Sequence, residues 1–284
     1  MRIFVINLEI SKDRRASIAA QLDPLPIAYS FLDAIDERRG YDFFTAYDEK
    51  KYLANTGRTA SATEVGCFAS HRCLWSHCVS LQQPIVIMED DAELEDNFAA
   101  ALKEAEKLIH RYGFIRLQSH GPARHVRKTQ VEEAGQFKLH YCARFPFGAM
   151  AYAISPEVAA AFVDKSRVLA GPVDVFIKKF WEHGQPLFAL SPSCVKGSAL
   201  CASSTIKHRK KSTTGGRLRA ARILMKLKGL IRRARFNRSH GRRADMRRGG
   251  VLARAARGAD RSPQHEQETR NESQGPPPAR RRWL

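Results

Sequence analysis

Short apolar runs alternate with helical patterns through the first two-thirds of this chain, and few folds accommodate that rhythm. Residues 2–8 read RIFVINL, a β-branched run typical of a buried strand. Asp13 then precedes RRASIAAQL, which suits a capped helix. Residues 27–32 (IAYSFL) form a second strand pattern, and 38–60 lack a clear period. Ser61 and Glu64 make a capping box ahead of a helix running to Leu81, and Gln83-Pro84 stops it. IVIM at 85–88 is a fully apolar strand, followed by a helical pattern over 97–111 and a strand over 114–117. Residues 118–135 read as loop, and 138–144 and 149–154 as strands. Ser155-Pro156 opens a helix, Gly171-Pro172 opens another, and 187–190 is a last strand. Such alternation predicts an α/β layer with ligand sites at the carboxyl ends of its strands.

The charge is unevenly placed. Residues 1–205 hold 24 basic and 24 acidic side chains, whereas 206–284 hold 24 basic and 5 acidic. The chain therefore divides into a neutral globular unit over 1–205, a basic amphipathic segment over 206–240 and a disordered tail over 241–284. That tail is rich in Arg, Gly, Ser, Gln and Pro. No stretch approaches the roughly 18–20 apolar residues of a spanning helix. The opening apolar run is too short for a secretory signal, so a cytosolic setting is expected. Cys67, His71, Cys73, His77 and Cys78 crowd one helix, but their spacing lacks the C-x2-C knuckle of a zinc site, so buried thiols are expected.

The strongest chemical signal is Glu89-Asp90-Asp91 at the tip of the 85–88 strand. Three like charges at one point are costly unless a cation or solvent relieves them. A hard divalent ion held by oxygen ligands does this and leaves positions for a diphosphate. The plain alternative is a solvated acidic turn continuing through Glu93, Glu95 and Asp96. No Gly-x-x-x-x-Gly-Lys loop, no Gly-x-Gly-x-x-Gly and no Gly-x-Ser-x-Gly is found, which argues against P-loop NTPases, dinucleotide dehydrogenases and serine hydrolases.

Six motifs then appear in order: VINLEISKDRR at 5–15, FLDA at 31–34, SATEVGCFASHRCLW at 61–75, IVIMEDDAEL at 85–94, GAMAYAISPEVAAAF at 148–162 and GPVD at 171–174. Together they resemble glycosyltransferase family 25, which includes bacterial lipooligosaccharide and lipopolysaccharide galactosyltransferases. The resemblance covers about residues 1–209. It implies a GT-A-like nucleotide-sugar-binding α/β fold with a mixed, mostly parallel central sheet. It also implies a hexosyltransferase that moves a hexose, commonly galactose, from a UDP-sugar to a hydroxyl of such a glycan with inversion. Asn7, Arg14, Asp33, Ser70 and His71 match motif positions where the donor is expected. Asp91 first, and Asp90 second, are expected to hold Mn²⁺ or Mg²⁺, with Glu89 in the same element anchoring the loop. Asp174 is expected to be the catalytic base, kept ionised by a helix start, or else only to cap that helix. The alternative is a catalytically inactive relative that binds glycan or membrane.

Residues 217–238 read RLRAARILMKLKGLIRRARFNR. On a helix, Ala220, Ile223, Leu224, Leu227, Leu230, Ile231 and Ala234 share one face with basic flanks, while Leu218, Met225 and Phe236 break the pattern. Such a helix suits an anionic membrane surface, and a lipid-linked acceptor would make that placement useful. The expected location is the inner face of the cytoplasmic membrane, held peripherally. Packing of the stripe on the globular unit is the alternative. Phe236 alone offers base stacking, so no nucleic-acid partner is expected.

Overall fold

The computed structural model describes residues 1–36, 39–119, 128–198, 220 and 222–240. Its strands are β1 (Arg2–Asn7), β2 (Tyr29–Asp33), β3 (Ala46–Tyr47), β4 (Ile85–Glu89), β5 (Ala92–Leu94), β6 (Phe114–Arg116), β7 (Lys128–Ala134), β8 (Phe137–Cys142), β9 (Ala151–Ile154), β10 (Val168–Leu169), β11 (Phe188–Ser191) and β12 (Val195–Gly197). Its helices are α1 (Lys12–Leu22), α2 (Glu49–Thr56), α3 (Ala62–Leu81), α4 (Phe98–Tyr112), α5 (Pro156–Lys165), α6 (Val173–Lys178), α7 (Phe180–His183) and α8 over 222–240. Eight strands form the main sheet in the order β2-β1-β4-β9-β6-β11-β8-β7.

The α/β reading holds, but the parallel majority does not. β1 runs parallel to β2 and β4, and β6 parallel to β11, whereas β4–β9, β6–β9, β11–β8 and β7–β8 are antiparallel. A parallel neighbour needs a crossover, usually a helix. Helices supply one between β1 and β2 and between β2 and β4. β7, β8 and β9 follow one another with no helix between them, so the chain folds back on itself. The segment expected as loop over 118–135 ends in β7, paired with β8 across Gly135 at φ +58°. Residues 120–127 of that segment lie outside the described ones, as do the 205/206 boundary and the 241–284 tail.

The strand alternation sorts two cores onto the two faces of the sheet. Ile3, Val5, Val86 and Met88 pack with Ile18 and Leu22 of α1 and with Phe98, Leu102 and Ile109 of α4. Phe4, Ile6, Ile85 and Ile87 pack with Phe68 and Trp75 of α3, Phe162 of α5 and Ile177 of α6. The capping box forms as its sequence implies: Glu64 N donates to Ser61 Oγ at 3.3 Å and Ser61 N donates to Glu64 at 3.4 Å. Glu64 also pairs with Arg58 and accepts from Tyr52 Oη at 3.2 Å, which pins α2 to the start of α3.

Helix α8 docks by the face its sequence hides. Its less exposed positions are Arg222, Met225, Gly229, Arg233, Phe236, Asn237 and His240. Phe236 meets Phe180 at 5.2 Å between ring centroids. Asn237 donates to the Ala143 carbonyl at 3.0 Å and accepts from Tyr141 Oη at 2.7 Å. The residues that break the apolar stripe, Met225 and Phe236, are thus the ones that dock. The stripe itself points outward: Ile223, Leu224, Leu227, Leu230 and Ile231 are 49–60% exposed. No helix among the described residues is long and apolar enough to cross a membrane.

Candidate active site

The carboxyl ends of β1, β2 and β4 lie side by side, with Asn7 opposite Asp33 and Ile6 opposite Glu89. Antiparallel β9 brings its amino end to the same edge, where Glu89 N donates to the Met150 carbonyl at 2.8 Å. The expected trio of acids therefore sits at the sheet edge, but it does not converge on one point. Successive side chains leave a strand on opposite faces. Glu89 turns to the α3 side and Asp90 to the α1 side.

Asp90 is buried and braced. Asn7 Nδ2 donates to its Oδ2 at 2.8 Å, and Arg14 Nη1 donates to its Oδ1 at 3.3 Å. Asn7 Nδ2 also reaches the Ser11 carbonyl at 3.3 Å, and Asn7 is only 1% exposed. Asn7, Arg14 and Asp90, two expected donor contacts and an expected metal ligand, form one interlocked unit that ties the first strand to the acidic turn. Asp33 differs: its side chain is largely exposed and sits 3.6 Å from Arg15, whose guanidinium lies over Phe31.

Ser70 and His71 are both 0% exposed, and their hydrogen bonds go to protein neighbours. Ser70 Oγ accepts from Ile35 N at 2.8 Å and donates to the Gly66 carbonyl at 2.8 Å, fixing the loop that follows Asp33. His71 Nδ1 lies 2.9 Å from Tyr152 Oη and its Nε2 lies 3.3 Å from Glu89 Oε1. The proton order follows from the far end of the chain. A carboxylate only accepts, so His71 Nε2 donates to Glu89 and Nδ1 takes the Tyr152 hydrogen, while Trp75 Nε1 donates to Tyr152 Oη at 2.8 Å. A buried chain from Trp75 through Tyr152 and His71 aims Glu89. Burial pushes the Tyr152 hydroxyl well above its usual range, so it keeps that hydrogen.

Cys67 Sγ completes a group with His71 and Glu89 whose ligand atoms lie within 4.8 Å of one another. It does not make a soft-metal cage. Both histidine nitrogens are engaged, and burial together with Glu89, Asp174 and Asp91 holds the Cys67 thiol protonated. Cys78 faces elsewhere, towards the Gln83 carbonyl. The described cysteines are free thiols, as their spacing suggests.

Burial first, and then the charges of Glu89, Asp174, Asp91 and Glu64, push the Cys67 thiol up. Asp174 comes from α6, far along the chain, and stands within the field of Glu89. Its charge is raised in cost by burial, the largest influence, while Lys178 and the N–H groups of Val175 and Gly148 favour its ionised form. Burial wins, so its pKa lies above the usual carboxylate value, contrary to the expectation of a helix start that keeps it low. Nor does Asp174 cap α6; Pro172 holds that position without a side-chain bond.

Arg116 was not singled out in the sequence, although a cation inside the apolar run FIRL is a signal. It is 2% exposed and donates to the carbonyls of Gly148 at 2.7 Å and Phe147 at 2.8 Å. Burial lowers its pKa to about 10, while Asp174 and Glu89 pull the other way. Its guanidinium is spent on the carbonyls of the 147–148 turn rather than on an ion pair. Gly148 sits at φ +97°, and a Cβ there would meet Gln118 at 2.8 Å. Only glycine lets the 147–148 turn close over Arg116.

An acidic corner at the carboxyl edge of a mixed α/β sheet defines a site for a polar, metal-compatible ligand. The sequence model of the family described as Glycosyltransferase family 25 (LPS biosynthesis protein) matches residues 1–177. The chain belongs to glycosyltransferase family 25. A Homo sapiens protein named Inactive glycosyltransferase 25 family member 3 is 33% identical over 37% of this chain and 20% of its own. An Aedes aegypti Glycosyltransferase 25 family member is 25% identical over 62% of this chain and 30% of its own. The chain thus spans between a fifth and a third of the length of these relatives. Among solved structures, apo mouse xyloside xylosyltransferase 1 aligns with a TM-score of 0.30 and 13% identity over 65% of this chain and 69% of that one.

Proposed function

We propose that this chain is an inverting hexosyltransferase of GT-A type, taking its sugar from a UDP donor and passing it to a saccharide hydroxyl. The observation that carries this reading is the acidic turn at the carboxyl edge of β1 and β4, with Asp90 braced by Asn7 and Arg14 and Glu89 aimed by His71. Family membership supplies the reaction class.

The donor set at 89–91 is all oxygen, which suits Mn²⁺ or Mg²⁺. Asp91 and Glu89 would hold the ion, since the two oxygens of Asp90 already accept from Asn7 and Arg14. The ion, when bound, offsets charge that develops on the departing diphosphate. The residues divide the remaining work. Asp90, Asn7 and Arg14 fix the turn that presents Asp91. The chain ending in His71 orients Glu89. Exposed Asp33 is placed for the nucleoside, beside the loop that Ser70 holds. Asp174 takes the proton of the acceptor hydroxyl, and its raised pKa makes it a better base than an ordinary aspartate.

The acceptor in this reading is lipid-linked, as the family description suggests. The outward stripe of α8 supports a site of action at an anionic lipid surface, because five half-exposed apolar side chains lie beside exposed Lys226, Lys228, Arg232 and Arg235. That surface would be the inner face of the cytoplasmic membrane. An inactive fold that binds glycan is the second reading, prompted by the human relative's name.

Asp91→Asn decides between them. Transfer is followed as the mass gain of a crude lipopolysaccharide acceptor with a panel of UDP-sugars and Mn²⁺. We expect loss of turnover by about 10³-fold or more, with chelator abolishing activity of the unaltered protein, since metal and charge stabilisation typically carry several kcal/mol. Turnover that survives chelation would remove the metal role, and no UDP release from any donor would leave the binding-protein reading.

A further inference from the structure

Between α2, α6, α7 and α8 lies a cavity of about 1110 Å³, open along the exposed Lys226, Lys228, Leu230, Arg232 and Arg235 of α8. It is large enough for an oligosaccharide, drug-sized sites being roughly 300–1,000 Å³. Its charge is one-sided. Nine lysines and arginines line it, with Glu182 the lone carboxylate among its lining residues. Glu182 is shared, lying 3.1 Å from Lys179 and 3.8 Å from Lys51, and Lys165 is paired with Asp164 at 2.9 Å, so the cations of α8 carry most of the excess. The walls are aromatic, with Phe68, Phe176, Trp181 and Phe236 offering flat apolar faces.

We propose that this cavity is a binding site for an anionic saccharide carrying phosphate groups, and that it holds the acceptor of the transfer reaction proposed above, on which this assignment of the ligand as acceptor rests. Three observations support it. Burial pushes Lys178 down to about 8, and Lys179 and Arg233 also below their usual values. Crowded, partly desolvated cations carry a cost that a multivalent anion removes. The buried indole N–H of Trp181 finds no acceptor among the described residues, and an indole N–H suits an anionic oxygen. Finally, Lys178 belongs to both regions. It lines the cavity, its Nζ lies 3.3 Å from the centroid of the Phe147 ring, and it acts on Asp174 one helical turn earlier. An anion at Lys178 would thus bring its own saccharide towards the proton-accepting carboxylate.

The same phosphate chemistry is offered by a phosphorylated sugar and by a phospholipid headgroup, so the test has two arms. Calorimetry on the full chain measures glucose 1,6-bisphosphate, UDP with Mn²⁺, and phosphatidylglycerol vesicles. The variants are the pair Arg232→Gln with Arg233→Gln, the charge-preserving pair Arg232→Lys with Arg233→Lys, and Trp181→Phe. Bisphosphate affinity is expected to fall about tenfold in the Gln pair, the scale of one partly buried charge contact. The Lys pair should recover most of it, Trp181→Phe should weaken it with the ring retained, and the UDP affinity should stay within about twofold because its site lies at the β1–β4 edge. Bisphosphate binding that is absent in the unaltered protein, or indifferent to the Gln pair, overturns the proposal. So does loss of vesicle binding alone, which assigns the cations to lipid. A chain that binds bisphosphate as expected but never UDP keeps the anion site and sinks the transfer reading, so the two failures are told apart.

Discussion

The acidic edge of the sheet and the basic flank beneath α8 handle crowded like charges in opposite ways. At the edge, each carboxylate has its own arrangement. Asp90 is held by Asn7 and Arg14, Glu89 by His71, and Arg116 lies buried against the 147–148 carbonyls. Strand alternation separates the first two acids onto opposite faces, so their repulsion is limited before any cation arrives. On the flank, nine cations share a cavity with one carboxylate. A charge cluster with individual protein partners is a machine part held in position. A cluster only partly compensated, as here by Glu182 for Lys51 and Lys179 and by Asp164 for Lys165, keeps the rest of its electrostatic energy for a ligand of the opposite sign.

The largest expected effect breaks the acidic side. Asp174→Asn should lower turnover by about 10²–10⁴-fold, the usual share of a general base. UDP affinity should be nearly unchanged. Stability should move the other way. The folded pKa of Asp174 is raised, so its protonated form is the one folding favours. That contribution is complete below the unfolded value and disappears as pH rises through the folded one. At pH 7 the ionised Asp174 is therefore a net cost, and asparagine relieves it. Calorimetry should find a higher Tm for the variant at pH 7 and no gain below about pH 4, the unfolded aspartate range. Unchanged turnover removes Asp174 from the reaction, and a lower Tm at pH 7 shows that its backbone and Lys178 contacts outweigh burial.

What the sequence made legible depends on how local the cause is. The capping box at Ser61 and Glu64, the strand at 85–88 and the place of the acidic turn rest on neighbours within a few residues, and they stand as read. The splay of Glu89 and Asp90 was also available, because period-two alternation alone demands it. The tail was legible in part: a helical wheel identifies the apolar stripe, which indeed faces outward, but it does not tell that the opposite face takes a tertiary surface. Gly229 and Phe236 fit against Trp181 and Phe180, a complementarity of shape between segments some fifty residues apart. The β7–β8 hairpin and the partnership of Arg116 with the 147–148 turn are likewise products of distant contacts.

A middle-sized effect tests whether Glu89 is held as described. Tyr152→Phe removes one hydroxyl that accepts from Trp75 and donates to His71. The phenyl ring preserves its stacking on Phe114 at 4.9 Å. Two buried polar groups lose their partner, so urea denaturation should show a loss of about 1–3 kcal/mol. A merely structural role predicts that loss and nothing more. The relay predicts in addition that ¹⁵N shifts of His71, expected to report Nε2–H in the native protein, become those of mixed tautomers. If the tautomer signature survives in the variant, the order of protons around Glu89 has another cause.

The smallest expected change in stability sharpens the comparison on the basic side, where one helix carries two different faces. Leu227 is 53% exposed on the outward stripe, whereas Met225 lies on the docked face and lines the cavity. Leu227→Asp should alter stability by no more than about 0.5 kcal/mol, as surface substitutions do. It should nevertheless weaken sedimentation with phosphatidylglycerol vesicles, because an acid then sits in the middle of the apolar stripe, while bisphosphate binding in the cavity persists. Met225→Asp should do the reverse: it places a carboxylate against the lining cations, so it should weaken bisphosphate binding and leave the outward stripe able to reach vesicles. Equal effects of both substitutions on both ligands would mean that the two faces of α8 act as one undivided basic surface, and the distinction between a membrane-facing side and a saccharide-facing side would be lost.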